Sequence, residues 1–225
     1  EDIETGAIKG AAFNVEIPAE RQKQAKVAAQ ALGDQVYAKF PFVEGMKPNG
    51  TELAELVLNR TWRPALSVTG LAGAPEPLNA GNVLRPFTEA KLSLRVPPTA
   101  DAKKASAELK TILETNPPYG AKVHYAGEKD GSGWNAPATA PWLEAALEDA
   151  SHQAWGRPMA MMGEGGSIPF MGMLGEKFPK AQFVVTGVLG PHSNAHGPNE
   201  FLHIPTGKRV TETVARVLAA HYERA

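Results

Sequence analysis

The sequence predicts a mixed fold, an α+β sandwich followed by an α/β layer, and three observations predict it. After Pro64 the hydrophobic period changes from helical to alternating, so that Leu66-Ser67-Val68-Thr69 and Ala90-Lys91-Leu92-Ser93-Leu94-Arg95-Val96 each set one face on a core. A helix-spaced segment from Asp101 to Thr115 follows, giving helices on one face of an antiparallel sheet. Beyond residue 127, helix and strand patterns alternate, which is the grammar of an α/β layer. With 225 residues, 43% of them hydrophobic and 21% charged, the chain has the composition of a globular protein and the length for two packed units.

Each element has a local reason. Ala19 to Phe40 reads as a first helix, polar at its start, apolar at Val27, Ala28, Ala31, Leu32 and Val36, and stopped by Pro41. Thr51 to Asn59 reads as a second, with Thr51 as cap and Leu53, Leu56 and Val57 on one face. Gly70 to Arg85 is a loop between the two strands. The helix from Asp101 turns Ala105, Leu109, Ile112 and Leu113 inward, ends at Asn116-Pro117-Pro118, and leads to a third strand at Gly120 to Ala126. Gly127 to Pro141 is poor in core-forming residues and marks the border between a unit at 1–126 and one at 127–225. In the second unit we expect a helix at Trp142 to Trp155, a strand at Met159 to Met162, a helix at Phe170 to Phe178, a strand at Gln182 to Val188 and a last helix from Thr206 to about Arg224.

Several function classes are disfavoured at once. A formal net charge of -1 without a run of like charges argues against nucleic-acid and anionic-membrane partners. The absence of cysteine removes disulfides, thiolate zinc sites and cysteine nucleophiles, so any metal must take His, Asp or Glu. The longest apolar stretch, Ala181 to Leu189, falls short of the roughly 20 residues that span a bilayer. The opening Glu1-Asp2-Ile3-Glu4 carries neither an initiator methionine nor a signal-peptide pattern, which points to a longer natural polypeptide. A cytoplasmic location is the expectation, and a periplasmic or secreted one stays open because the natural N-terminus is not seen.

Two loops that follow predicted strands are where ligands collect in α/β sheets. The first, Gly163-Glu164-Gly165-Gly166-Ser167-Ile168-Pro169, reads either as a tight strand-to-helix turn capped by Ser167 or as an anion site whose glycines let backbone amides approach a carboxylate. The second runs from Gly190 to Glu200 and carries His192 and His196, with His203 just beyond. Pro191 and Gly197-Pro198 argue against the helical His-x-x-x-His arrangement. Individual ligation of a metal and a solvated polar loop both remain open. His124, His152 and the methionines around the glycine turn read as structural, and His221 as a surface or helix-end residue.

Glu164-Gly165-Gly166-Ser167-Ile168-Pro169, together with His196-Gly197-Pro198-Asn199-Glu200, resembles the co-catalytic zinc peptidases that include carnosinases, aminoacylases and succinyl-diaminopimelate desuccinylases. Asn82-Val83-Leu84-Arg85-Pro86, leading into Ala90 to Pro97, resembles the lid (dimerisation) domain of that family, nearest to its carnosinase-like dipeptidases. The resemblance implies a lid at 1–126 and the C-terminal portion of a zinc-binding catalytic domain at 127–225. It implies that His196 ligates one of two zinc ions, with manganese or cobalt as alternatives. It places Gly165, Gly166 and Ser167 at the substrate carboxylate, and Asn82 and Arg85 on the lid side of the substrate. Glu164, Asn199 and Glu200 then support the site, the latter two by orienting the ligating imidazole. The implied substrate is a dipeptide, a C-terminal peptide bond or an N-acyl amino acid, and the implied partner is a second copy joined through lid residues near Thr51 to Leu71.

Two departures from the family pattern qualify this. The His-x-Asp motif, the bridging Asp, the Glu-Glu pair bearing the general base and the lid histidine of an Asp-x-His-Ser-Gly stretch are all missing, so no catalytic residue is assigned here. Two ions about 3.5–4 Å apart cannot be held by one histidine. Gly163 also stands where the carnosinase-like motif reads arginine, which removes a bidentate carboxylate clamp. Arg85, Arg157 or the loop amides are the candidates to replace it. A non-catalytic dimerisation or binding module is therefore the alternative to an enzyme portion.

Overall fold

The computed structural model describes every residue except Ile3, Glu128, Gly165 to Ile168 and Ala225. The chain divides into two compact units, one comprising Glu1–Asn135 with Met161–Met173, the other Ala136–Ala160 with Leu174–Ala225.

In the first unit, α1 (Ala19–Leu32) follows Pro18 and ends at Gly33, whose φ of 55° is left-handed. The expected single helix to Phe40 is therefore two: glycine accepts a backbone turn that no other residue takes cheaply, and the chain restarts as α2 (Gln35–Ala38). Next comes α3 (Leu53–Thr61), with Glu52 rather than Thr51 at its N-cap and no side-chain capping bond. Alanines 25 and 29, one helical turn apart, let α1 approach closely, and they bury Val36, Val57, Leu58 and Trp62.

The strands β1 (Ala65–Ala72) and β2 (Glu89–Arg95) form an antiparallel pair in which Leu66 faces Leu94 and Val68 faces Leu92. A bulge between Val68 and Gly70 leaves Thr69 over, and its hydroxyl donates to the Lys91 carbonyl at 3.3 Å. Leu66, Leu94 and Val96 pack on Ile8, Phe13 and Ala105. Ala105 belongs to α4 (Ala102–Glu114), capped by Asp101, whose carboxylate accepts the amides of Lys103 and Lys104 at 3.0 Å each. Glu108 of the same helix accepts the amides of Ala11 (2.9 Å) and Ala12 (2.6 Å), fixing the 3-10 turn at Ala11–Phe13 and driving Phe13 into the core. Ile112, expected inward, is half exposed.

The expected third strand at Gly120 to Ala126 is not formed. The Tyr125 amide donates to Glu114 Oε1 at 2.7 Å and its hydroxyl meets Ser106 Oγ at 3.0 Å, so side chains of α4 hold this segment where a strand ladder was expected. The segments at Met159 to Met162 and Gln182 to Val188 likewise form no ladder among the described residues. The Met159 amide goes to Glu148 Oε2 at 3.0 Å, and Gln182 spends its side chain on the Ala140 amide at 2.6 Å.

The second unit is built on α5 (Pro141–Trp155) and α7 (Ile204–Glu223), with α6 (Pro169–Lys177) between them in sequence. Trp142, at the start of α5, takes the Arg224 guanidinium on its face (4.3 Å) and His221 edge-on (5.3 Å). Trp155, at its end, donates to Thr213 Oγ1 at 3.1 Å. The two helices therefore run antiparallel, closing over Leu143, Ala150 and Val217.

Replacing Asp101 with alanine removes both capping bonds and is expected to lower stability by about 1 kcal/mol, while Asp101→Ser keeps most of it. Thermal or urea unfolding of the two variants checks this.

Candidate functional site

The histidine loop is an unusual stretch of backbone. His192, Asn194, His196 and Asn199 have φ values of 59°, 53°, 61° and 58°, all in the left-handed region that few residues other than glycine enter, Asn, Asp and His most often among them. The loop is closed at its base by the Leu189 carbonyl, which accepts the hydroxyl of buried Ser193 and, at 2.9 Å, the amide of His203. Phe201 donates its amide to the Ser193 carbonyl at 3.1 Å. At the tip, Gly197 donates to the Asn194 carbonyl (2.9 Å) and Asn194 Nδ2 to the Pro198 carbonyl (2.6 Å). The His196 amide donates to Glu200 Oε2 at 3.0 Å.

This arrangement fixes the backbone of His196 while leaving its side chain exposed. Glu200 acts on the amide of His196. Asn199 is exposed and contributes a left-handed turn. His203 is engaged with Thr206 Oγ1 at 2.8 Å, and Gly190 is required because a Cβ there would lie 2.7 Å from both His203 Cβ and Thr206 Oγ1.

Among the described residues, no three His, Asp or Glu side chains converge as metal ligands. An exposed imidazole on a fixed loop suits one ligand position. Among the described residues the donors do not complete a zinc site.

The glycine loop is described up to Glu164, and Gly165, Gly166 and Ser167 lie outside the described residues. Gly163 packs on the end of α3, where an added Cβ would meet Thr61 Cβ at 3.3 Å. Glu164 Oε1 faces Arg60 Nη2 at 3.4 Å. Sequence reasoning missed Arg60, since 104 residues separate the pair and no local spacing marks it. Asn82 and Arg85 sit in the exposed stretch between β1 and β2, where Arg85 Nη1 donates to the Gly73 carbonyl at 3.1 Å.

No protein-family model matches the chain. Its fold is that of the M20 metallopeptidases. It overlays an M20 family metallo-carboxypeptidase, Sso-CP2 of Sulfolobus solfataricus, with a TM-score of 0.68 and 18% identity over 96% of this chain and 50% of that one. Human carnosine dipeptidase 1 matches with a TM-score of 0.63 and 19% identity, covering 96% of this chain and 47% of that one. The dipeptidase Dug1p of Saccharomyces cerevisiae matches with a TM-score of 0.64 and 21% identity, covering 99% and 46%. In sequence, the chain is 32% identical over 142 residues to the cysteinylglycine-S-conjugate dipeptidase of Corynebacterium striatum, covering 61% of this chain and 30% of that protein. The chain thus spans less than a third of this curated relative and about half of each solved structure. The resemblance read from the motifs, to a portion of a carnosinase-like peptidase, accords with both comparisons. Among the described residues no helix is long and apolar enough to cross a membrane.

Glycine relieves a left-handed backbone. We expect His196→Gly to be as stable as the parent chain or more stable by up to about 1 kcal/mol, whereas His196→Val unfolds at a lower temperature. Calorimetry of the two variants separates the backbone role of this position from its imidazole.

Proposed function

We propose that this chain is the lid and the C-terminal catalytic portion of a dinuclear zinc peptidase acting on dipeptides, with the border between the two near Gly127. The observation that carries the reading is His196, an exposed imidazole on a backbone held left-handed by Glu200 and by the loop's closure at Leu189. Similarity to a curated dipeptidase and the shared peptidase fold support it. In this reading His196 is a ligand to one zinc, Glu200 and Asn199 keep it oriented, and Glu164 to Ser167 with Asn82 and Arg85 receive the substrate. When bound, the metal pair supplies a polarised carbonyl and an activated water. The remaining ligands and the general base come from outside these 225 residues, so the chain by itself neither retains two metals nor hydrolyses a peptide.

The partner in this reading is a second copy. The exposed Val68 and Leu71 of β1 lie on a strand with only β2 paired to it among the described residues, and an apolar strand edge of that kind invites pairing with its symmetry mate. A second reading, a dimerisation or binding module without catalysis, is favoured by the absence of converging ligands among the described residues.

The test uses the full-length polypeptide. His196→Ala is expected to abolish dipeptide hydrolysis and lower bound zinc while the far-UV spectrum is unchanged; wild-type turnover in that variant refutes the assignment. Elemental mass spectrometry of the 225-residue chain should return almost no zinc, and light scattering at micromolar concentration should give a dimer mass.

A further inference from the structure

We propose that Asn49-Gly50 is a modification site at which the chain reacts with itself: the Gly50 amide nitrogen closes on the Asn49 side chain, ammonia leaves, and the aspartate or isoaspartate that results detaches the N-terminal turn. Both residues are exposed, and theirs is the only Asn-Gly pair in the sequence.

The nucleophile is unencumbered. Among the described residues no acceptor takes the Gly50 amide, so solvent base reaches its proton. Glycine carries no Cβ to crowd the approach of its nitrogen. The space beside it is also open, since an added Cβ would meet nothing closer than Leu56 Cδ2 at 3.9 Å. A φ of 107° keeps this position for glycine.

Other asparagines are held differently. Asn14, followed by Val15, donates to the carbonyls of Ile8 (3.0 Å) and Gly10 (2.8 Å). Asn194, followed by Ala195, donates to the Pro198 carbonyl at 2.6 Å. Asn49 has one long bond among the described residues, from Nδ2 to the Thr5 carbonyl at 3.4 Å, which leaves its side chain free to turn toward the Gly50 nitrogen.

Deprotonated Gly50 N forms a bond to Asn49 Cγ, the Cγ–Nδ2 bond breaks, and Nδ2 takes a proton from water and departs as ammonia. The product is a cyclic imide. Water then adds to one of its two carbonyls: opening at Cγ gives aspartate, and opening at the main-chain carbonyl gives isoaspartate, with the backbone now running through Cγ. One water is consumed and one ammonia released, with no change of oxidation state.

The consequence follows from what Asn49 touches. Thr5 lies in a turn closed by Asp2, whose carboxylate accepts the amides of Glu4 (3.2 Å) and Thr5 (3.0 Å) and meets Lys9 Nζ at 3.3 Å. Gly6 of that turn packs on Asn49: a Cβ there would lie 3.1 Å from Asn49 Nδ2 and 3.8 Å from Glu1 Oε1. A carboxylate at 49 has no donor for the Thr5 carbonyl and brings a negative charge beside that of Glu1. Attraction becomes repulsion, and the turn loses its hold on the loop before α3.

The experiment ages the 225-residue chain at mildly alkaline pH and follows it by peptide mapping. Position 49 should convert before any other asparagine, to a mixture of aspartate and isoaspartate, at a rate that rises with pH. Asn49→Gln, which must close a larger ring, should lose the conversion. Asn49→Asp should be cut by trypsin after Lys9 severalfold faster than fresh parent chain, with an unchanged far-UV spectrum, and aged parent chain should approach it. Conversion at 49 no faster than at Asn14 or Asn194 overturns the site. Equal cleavage after Lys9 in Asn49→Asp and fresh parent chain overturns the detachment.

Discussion

The geometry of the histidine loop depends on one acceptor, the carbonyl oxygen of Leu189. It takes the Ser193 hydroxyl from one side and the His203 amide from the other, so the chain leaving residue 189 is brought back to the start of α7 after thirteen residues. Within that closure lie the non-glycine left-handed residues His192, Asn194, His196 and Asn199. His203 then passes directly into α7, where Val210 and Val217 are buried and Trp155 reaches Thr213. The helix pair and the loop are thus one mechanical object: shifting α7 along α5 would pull on the ring that holds His196.

A second constraint concerns backbone groups that have no ladder. Tyr125 and Met159 donate their amides to glutamate side chains of neighbouring helices, Glu114 and Glu148, and Gln182 does the same service for Ala140. Carboxylates and amides are effective stand-ins for a strand, since a charge-assisted bond to an N–H is stronger than a neutral one. They satisfy single groups, however, and a ladder satisfies a row. Val184, Val185 and Val188 remain substantially exposed in a segment whose β-branched residues are suited to a sheet. Leu78 and Leu84, essentially fully exposed between β1 and β2, belong to the same class of surface, apolar side chains on irregular backbone that single hydrogen bonds do not cover.

The parts legible in the sequence are those governed by local rules. Asp101 announces its helix because a short carboxylate at that position reaches two amides, and the alternation around Leu66 and Leu94 gives the hairpin because its period matches the pleat. Local rules failed where a side chain distant in sequence took the hydrogen bond. Nothing around Tyr125 shows that Glu114 will accept its amide, and nothing near Arg60 points to Glu164. Gly33 was open to reading as a helix break, but the apolar spacing of Val36 continued across it and masked the turn. For the site, motif spacing located both loops, while the left-handed residues of the second became apparent only from its backbone, since histidine and asparagine enter that region more often than most residues but far from always.

That backbone bears on why a histidine stands at 196 at all. A left-handed conformation at a non-glycine residue costs on the order of 1 kcal/mol, and glycine would avoid the cost. The neighbouring glycine at 197 shows that the loop uses glycine where crowding demands it: a Cβ there would lie 2.6–2.7 Å from the Asn194 side chain. At 196 the side chain is kept in spite of the backbone, it is exposed and so contributes little burial, and its amide is tied down by Glu200. Neither packing nor conformation therefore accounts for a histidine at this position. Observed strain of this kind argues for function. The loop divides its labour: Ser193, buried, secures the closure, and His196, three residues on, is exposed.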